Sequence, residues 1–306
     1  MQILLTGGAG FIGSHLATAL KEDGHYVFVY DSLHYGQTPP RFDDKSQFIL
    51  GDIRDIEKIE QILRENKIDL MINLAAFSSI DDVLKDEIQS RDVNVKAVAR
   101  IASLCANYEI KLIQFSSAAV YGNYYQMPVR ESVPKHPISL YGMQKLEAEN
   151  WIRANMPSNK LMFKILRIFN VFGPGQINPG VITKMIETKK RGEPFYLNGE
   201  GEQTRDYIYV KDVCRAVQII INRWDDPYNT YNVGNGRSYK AGNSPIPYRP
   251  LSLKDLAEIA GIDDIRYKPE LEYDIKYSCS DNSAITKLGY RPSKAPEHFI
   301  RLSLHA

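Results

Sequence analysis

The sequence predicts an α/β protein, a parallel sheet wound by helices on both faces and followed by a smaller mixed α/β region. Three observations predict it. An apolar run, QILLT, leads directly into GGAGFIG and a helical segment; short runs then alternate with helical stretches as far as residue 117; and those runs are apolar almost throughout. Strands that are buried on both faces need that composition, and the alternation with helices calls for parallel crossovers.

Residues 2–6 form the first strand, and SHLATALKEDG the first helix, with Gly24 as its stop. Between them Gly8, Gly10 and Gly13 satisfy G-x-G-x-x-G, while Gly7, Gly10 and Gly13 recur with two residues between each. Without side chains, such a turn lets a pyrophosphate approach the backbone N–H groups at the helix N-terminus. The next strand, YVFVY, ends at Asp31, about twenty residues beyond the glycines, where the dinucleotide fingerprint places an acid. A carboxylate there accepts hydrogen bonds from ribose hydroxyls and repels a 2′-phosphate, which favours NAD over NADP; its other reading is a turn residue before Ser32.

The alternation continues with FILGD (48–52) as a strand, IRDIEKIEQILRENK as a helix and IDLMINLAA (68–76) as a buried strand. VNVKAVARIASLCANY follows as a long helix and KLIQFSS (111–117) as a further strand. Ligands of such sheets lie beyond the carboxyl ends of the strands, which puts Asp52, Ile53, Ala75, Ala76, Ser116 and Ser117 at the expected site. The whole is a Rossmann arrangement. Further on, SLYGMQK (139–145) runs into LEAENWIRA with helical spacing, so Tyr141 and Lys145 share one helix face. That spacing alone also fits an ordinary helix surface.

Bulk properties exclude several classes. The 306 residues are 43% hydrophobic and 25% charged with a formal net charge of +1, so no basic field favours nucleic acid. No apolar run approaches the length of a membrane span, and MQILLT opens on a strand without a charged leader, so a cytoplasmic protein is expected. Cys105, Cys214 and Cys279 are too few and too scattered for a disulfide framework, and the histidines form no HxxxH pair, so no metal is expected. From about residue 170 the alternation loosens. The expected division is therefore 1–169 for the dinucleotide, with a returning segment near 205–235, and 170–306 for the substrate.

Six motifs occur together in order: TGGAGFIGSHL at 6–16, NLAA at 73–76, FSSAAVYG at 115–122, YGMQK at 141–145, RIFNVFGPG at 167–175 and GEGEQTRDYIYVKDV at 199–213. The chain thereby resembles the extended short-chain dehydrogenase/reductases that act on nucleotide sugars, over almost its whole length. The resemblance implies that Tyr141 is the base, Lys145 its cationic neighbour and ribose ligand, and Ser117 the hydroxyl that holds the sugar oxygen. It assigns Gly7, Gly10, Phe11, Ile12, Gly13, Asp31, Asp52, Ile53, Ala75, Ala76, Asn94, Tyr141 and Lys145 to NAD. It assigns Ser117, Asn170, Val181, Arg205 and Ser278 to the nucleotide sugar, expected to be a UDP-hexose. Arg205 could instead form a surface ion pair with Asp206 or Glu202.

Within that family, dehydratases and decarboxylases carry an acid two positions before the tyrosine of the VYG element. Here Ala118 and Ala119 stand before Val120 and Tyr121, and neither can move a proton. The resemblance therefore points to 4-epimerisation with retained NAD, with a keto-sugar reductase, a 4,6-dehydratase and a non-catalytic dinucleotide sensor as the other readings. A small residue at 278 leaves room for an N-acetylated sugar. Leu271 stands where many epimerases place a diphosphate-binding arginine, for which Arg266 or Lys268 are candidate substitutes. Family members commonly pair through two long helices, here near 82–107 and 141–155, so a homodimer is expected. The stretch 238–252 reads as an inserted surface loop.

Overall fold

The computed structural model of the chain describes residues 1–38, 45–154, 161–176, 180–236 and 250–305. Its centre is a seven-stranded sheet. The strands β1 (Gln2–Thr6), β2 (Tyr26–Asp31), β3 (Ser46–Leu50), β4 (Leu70–Asn73), β5 (Lys111–Ser117) and β6 (Phe163–Ile168) are joined by Thr230–Val233. Their spatial order is Thr230–Val233, β6, β5, β4, β1, β2, β3. The β1–β2, β2–β3, β1–β4 and β4–β5 pairs are all parallel. The chain reverses its direction of travel across the sheet between β1 and β4, the crevice at which doubly wound sheets bind ligands.

Burial follows the composition. Ile3, Leu4, Leu5, Leu70, Met71, Ile72, Leu112 and Ile113 are fully or almost fully enclosed, as helices on both faces require. The helices α1 (Phe11–Glu22), α2 (Ile56–Glu65), α3 (Ile80–Lys85), α4 (Glu87–Arg91), α5 (Val98–Asn107) and α6 (Leu140–Ala154) supply that cover.

The compact units do not follow a single cut. One comprises Met1–Val120, Ser139–Arg167 and Pro227–Thr230; the other comprises Tyr121–Ile138, Ile168–Asp226 and Tyr231–Ala306. The division thus falls two residues before the expected 169/170 boundary, the stretch Tyr121–Ile138 joins the second unit, and the returning segment is confined to Pro227–Thr230. The second unit contains short strand pairs: Asn170–Phe172 with Tyr207–Tyr209, Phe195–Asn198 with Ile265–Lys268, and Thr204–Arg205 with Leu251–Ser252. Most of the inserted stretch lies outside the described residues; its last two positions, Leu251 and Ser252, pair antiparallel with Arg205 and Thr204, and Ser252 caps the helix Leu253–Ile259.

Three expected boundaries shift. β3 is Ser46–Leu50, because Gly51 donates to the Asp31 carbonyl at 2.9 Å and Asp52 accepts the Arg54 N–H at 2.8 Å, turning the chain before Asp52. β4 stops at Asn73, opposite the last residue of β1, Thr6, so Ala75 and Ala76 lie beyond the strand. The long helix begins earlier than residue 93 and in pieces: α4, a wide π-helical turn over Asp92–Ala97, then α5. Asn94 sits in that turn. Such wide turns are frequent at functional sites.

The β1–α1 connection tolerates no side chain at Gly13. A Cβ there would lie 2.2 Å from the Gly7 oxygen and 2.6 Å from the Gly8 Cα, both rigid backbone. Gly13→Ala should therefore destabilise the protein by on the order of 2 kcal/mol or prevent folding. Urea unfolding measures this; unchanged stability would show that the turn can open.

Candidate active site

The first unit holds every residue assigned to the cofactor and to catalysis. The glycine turn is built by backbone: Gly7 has φ +70 and its N–H reaches the Tyr30 carbonyl at 2.9 Å, while the Gly10 N–H reaches the Gly7 carbonyl at 3.2 Å. α1 begins immediately after Gly10 without a side-chain cap and without an acid in its first turn. Its leading N–H groups, at Phe11 and Ile12, present the positive end of a twelve-residue helix to an anion.

Asp31 is buried, and each of its oxygens has one backbone donor: Ala9 N–H at 3.0 Å and Leu33 N–H at 2.8 Å. These two bonds aim the carboxylate and leave lone pairs for ribose hydroxyls. Asp52 is gripped bidentately by Arg54 at 2.9 and 2.6 Å, which holds its carboxyl below the usual range. Ile53 is buried beside it. At Gly7 a Cβ would lie 2.6 Å from the Ala75 nitrogen, so the turns that end β1 and β4 touch backbone to backbone. The uncapped helix, the aimed carboxylate and this side-chain-free cradle fit an NAD pyrophosphate and adenosine ribose.

Asn94 is spent differently. Its carboxamide accepts the Phe77 N–H at 2.9 Å, donates to the Phe77 carbonyl at 3.1 Å and donates to Gln144 at 2.8 Å. It pins the segment that follows Ala75 and Ala76. Gln144, the neighbour of Lys145, in turn donates to Ser90 at 2.9 Å.

Tyr141, Lys145 and Ser117 converge. Tyr141 is partly buried, and burial raises its phenol above the ordinary value near 10; a hydrogen bond with the Ser117 hydroxyl acts in the opposite direction. The Ser117 oxygen also accepts the Ala119 N–H at 3.1 Å, which holds it in place at the end of β5. The Lys145 ammonium lies 5.7 Å from the Tyr141 ring centroid, is buried and has the Phe115 carbonyl at 3.5 Å. Desolvation lowers it to about 8. A cation whose proton affinity is brought near neutrality beside a phenol can stabilise the phenolate.

Several neighbours carried no signal when read singly. Tyr35, on the loop after β2, donates to Asp82 at 3.2 Å and is close enough to Tyr141 that the two phenolate charges would oppose each other. Glu149 continues the stripe of Tyr141 and Lys145 by four residues and is buried against Arg167 and Ser116. Its place on that stripe was the available clue.

The substrate candidates all belong to the second unit. Asn170 is exposed, and its N–H reaches the Asp206 carbonyl at 3.0 Å. Val181 opens the helix Val181–Arg191. Arg205 pairs with Asp274 and also donates to the Thr204 carbonyl at 2.9 Å and to the Ile275 carbonyl. Its acidic partner is thus neither Asp206 nor Glu202. Asp206 is instead buried and receives N–H groups from Asn235, Gly236 and Ser280, while Glu202 pairs with Lys254. Arg266 pairs with Asp264, and Lys268 lies 4.5 Å from the Tyr196 ring centroid. Ser278 is buried between exposed Tyr277 and buried Cys279 in a stretch outside any strand.

Among the described residues no group of three or more His, Cys, Asp or Glu could hold a metal, and no helix is long and apolar enough to cross a membrane.

Comparison with known proteins gives the family of the chain. Residues 3–234 match the "NAD dependent epimerase/dehydratase family". A UDP-glucose 4-epimerase of Halalkalibacterium halodurans is 33% identical over 258 residues, 78% of this chain and 77% of that protein. A dTDP-D-glucose 4,6-dehydratase of Dictyostelium discoideum is 32% identical over 252 residues, 76% of this chain and 58% of that longer protein. Among solved structures, a UDP-N-acetylglucosamine 4-epimerase from Methanobrevibacter ruminantium superposes with TM-score 0.84 at 31% identity, over 99% of this chain and 97% of the other.

The buried ammonium has a stability signature. Lys145 titrates at 10.5 when unperturbed and at about 8 in the fold, so between those values the unfolded chain binds more protons and stability rises with pH. The penalty is complete below pH 8 and absent above pH 10.5, on the order of 3 kcal/mol for a shift of this size. Lys145→Met should accordingly stabilise the cofactor-free protein at pH 7 by up to that amount, with the gain shrinking as the pH approaches 10.5. Urea unfolding at both pH values tests it; a variant no more stable than the parent at pH 7 would show that Lys145 is paid for by an interaction beyond its carbonyl contact.

Proposed function

Because the chain belongs to the NAD dependent epimerase/dehydratase family, we propose that it interconverts the carbon-4 epimers of a UDP-hexose through a transient 4-keto sugar, with NAD retained. The observation that carries the reading is the Ser117–Tyr141–Lys145 set next to Ala118 and Ala119, which provide no acid to drive loss of water. The epimerases among its relatives support it.

Bound NAD would supply the hydride acceptor, and the 4-epimer would arise when the keto sugar turns over in the pocket so that the hydride returns to its other face. The turn at Gly7, Gly10 and Gly13 with the N–H groups of Phe11 and Ile12 would receive its pyrophosphate. Asp31 would hold the adenosine ribose; Asp52 and Ile53 would flank the adenine; Ala75 and Ala76, pinned through Asn94, would border the rest. Tyr141 takes the proton of the sugar hydroxyl as phenolate and gives it back after the ketone is reduced. The Lys145 ammonium, one helical turn away, stabilises that phenolate and would hold the nicotinamide ribose. Ser117 steadies the same sugar oxygen. Asn170, Val181, Arg205 and Ser278 would contact the nucleotide sugar, with Arg205 turning from Asp274 to the diphosphate. The small Ser278 favours N-acetylated hexoses, with UDP-GlcNAc and UDP-GalNAc first and UDP-Glc and UDP-Gal beside them.

A second copy would cover the outer face of α4 and α6. Ile88 is 78% exposed, and Met143 and Trp151 are about half exposed, an apolar stripe next to the Arg91–Glu147 pair. The family resemblance supports a homodimer through these helices.

Purified protein incubated without added NAD should convert UDP-GlcNAc, UDP-Glc or both into the 4-epimer by NMR. Tyr141→Phe, Lys145→Met and Ser117→Ala should each lower kcat by roughly 10²- to 10⁴-fold while leaving the fold intact. Turnover of Tyr141→Phe within a few-fold of the parent would remove the proposed base. A keto sugar consumed only with NADH present would favour the reductase, and a product lighter by water would favour the dehydratase. Sedimentation equilibrium should give twice the chain mass and Ile88→Asp with Trp151→Ala half of that; a monomeric parent refutes the dimer.

A further inference from the structure

We propose that Glu149, Arg167 and Ser116 form a positioning knot that sets how Tyr141 and Lys145 approach Ser117. The inference rests on the proton-transfer role proposed above. Glu149 lies eight residues beyond Tyr141 and four beyond Lys145 on α6, roughly 12 Å and 6 Å along the helix axis. One of its oxygens accepts the Ser116 hydroxyl at 2.7 Å and the Arg167 Nε–H at 2.9 Å; the other accepts an Arg167 terminal N–H at 2.6 Å. Glu149 and Arg167 are each 1% exposed. Ser116 directly precedes Ser117 on β5, and Arg167 stands on β6. A single carboxylate thus ties the helix that carries the phenol and the ammonium to the strand that carries the catalytic hydroxyl.

Stability alone does not account for this arrangement. Burying two charges costs much of what their attraction returns, and an apolar pair of similar volume is often as stable or more so. Apolar contacts lack direction, however. The forked guanidinium on a carboxylate and the serine bond define one orientation, and sliding α6 by a single residue, about 1.5 Å, would break all three bonds. A misplacement of about 1 Å at reacting groups can cost 10²-fold in rate.

Arg153 lies 3.6 Å from Glu149 on the same helix, and the Arg91–Glu147 pair is exposed on its flank. Tyr141 is faced by Lys145, Ser117 and Tyr35. Glu149 and Arg167 together are neutral, so replacing both with methionine preserves net charge and approximate volume while removing the directed bonds and the longer Arg153 pair.

The test compares the parent, Glu149→Met/Arg167→Met, Ser116→Ala and Tyr141→Phe, each with its NAD content measured. Ultraviolet difference titration of the NAD-loaded proteins reads the ionisation of Tyr141 as the step missing from Tyr141→Phe, and does so without any sugar. The double variant should keep its melting temperature within a few degrees and its NAD content, yet move the Tyr141 ionisation by at least half a pH unit. Its kcat should fall at least tenfold with KM changed less than threefold. A folded double variant whose phenol titration and kcat match the parent overturns the proposal. Should that variant fail to fold, Ser116→Ala, which removes one bond, decides: a displaced ionisation and a kcat lowered about threefold support the knot, and parental values refute it. If no UDP-hexose is turned over by the parent, the function proposed above has failed, whereas the phenol titration still judges the knot.

Discussion

The close approach of backbone to backbone at the end of β1 is the constraint on which the first unit depends. Gly13 passes over the Gly7 carbonyl, and Gly7 over the backbone of Ala75, at distances no Cβ could share. This approach seats α1 against the sheet and leaves its positive end uncovered beside Asp31. The anion site is therefore a product of packing: the residues that would obstruct a pyrophosphate are those that would also prevent the helix from docking. Asp31, aimed by two N–H groups from the turns around it, extends the same cradle towards a ribose.

At the carboxyl end of β5 a different economy holds. Lys145 is buried with no carboxylate partner among the described residues, having a long approach to the Phe115 carbonyl and the Tyr141 ring nearby. Such a group is costly to fold around, and it is useful for the same reason, because its proton affinity has been brought near neutrality and its charge is available to a neighbouring phenolate. One helical turn further on, a fully paired Glu149 and Arg167 carry charge that is spent on orientation. The helix thus bears two kinds of buried ion, one without an ionic partner among the described residues and one fully paired.

The second unit shows charge committed inwardly. Asp206 collects backbone donors from two separate stretches of chain, Asn235–Gly236 and Ser280, and burial raises its carboxyl against them. Its neighbour Arg205 faces the other way along the chain and engages Asp274 and nearby carbonyls. Adjacent residues of an extended segment point to opposite sides, so one enters the core while the next reaches the flank.

Much of the fold was legible in the sequence because its signals are local. An apolar run before glycines, an acid at the end of the second strand and the i, i+4 placement of Tyr141 and Lys145 each depend on a few neighbouring residues, and the motif order adds the family. Strand ends were misjudged at Asp52 and Ala75 because the limit of a strand is set by its partner: β4 stops where β1 stops. Asn94, expected at the cofactor, holds Phe77 and Gln144, residues distant in sequence that no local signal connects to it. Arg205 found an acid 69 residues away instead of the adjacent one. The sequence by itself thus determined the Rossmann unit and the cofactor class, since local spacing, residue type and the order of the motifs are sufficient for those. Only the tertiary structure decided which charges are buried, which are paired and which stay available, because burial and pairing come from segments that meet only when the chain is folded.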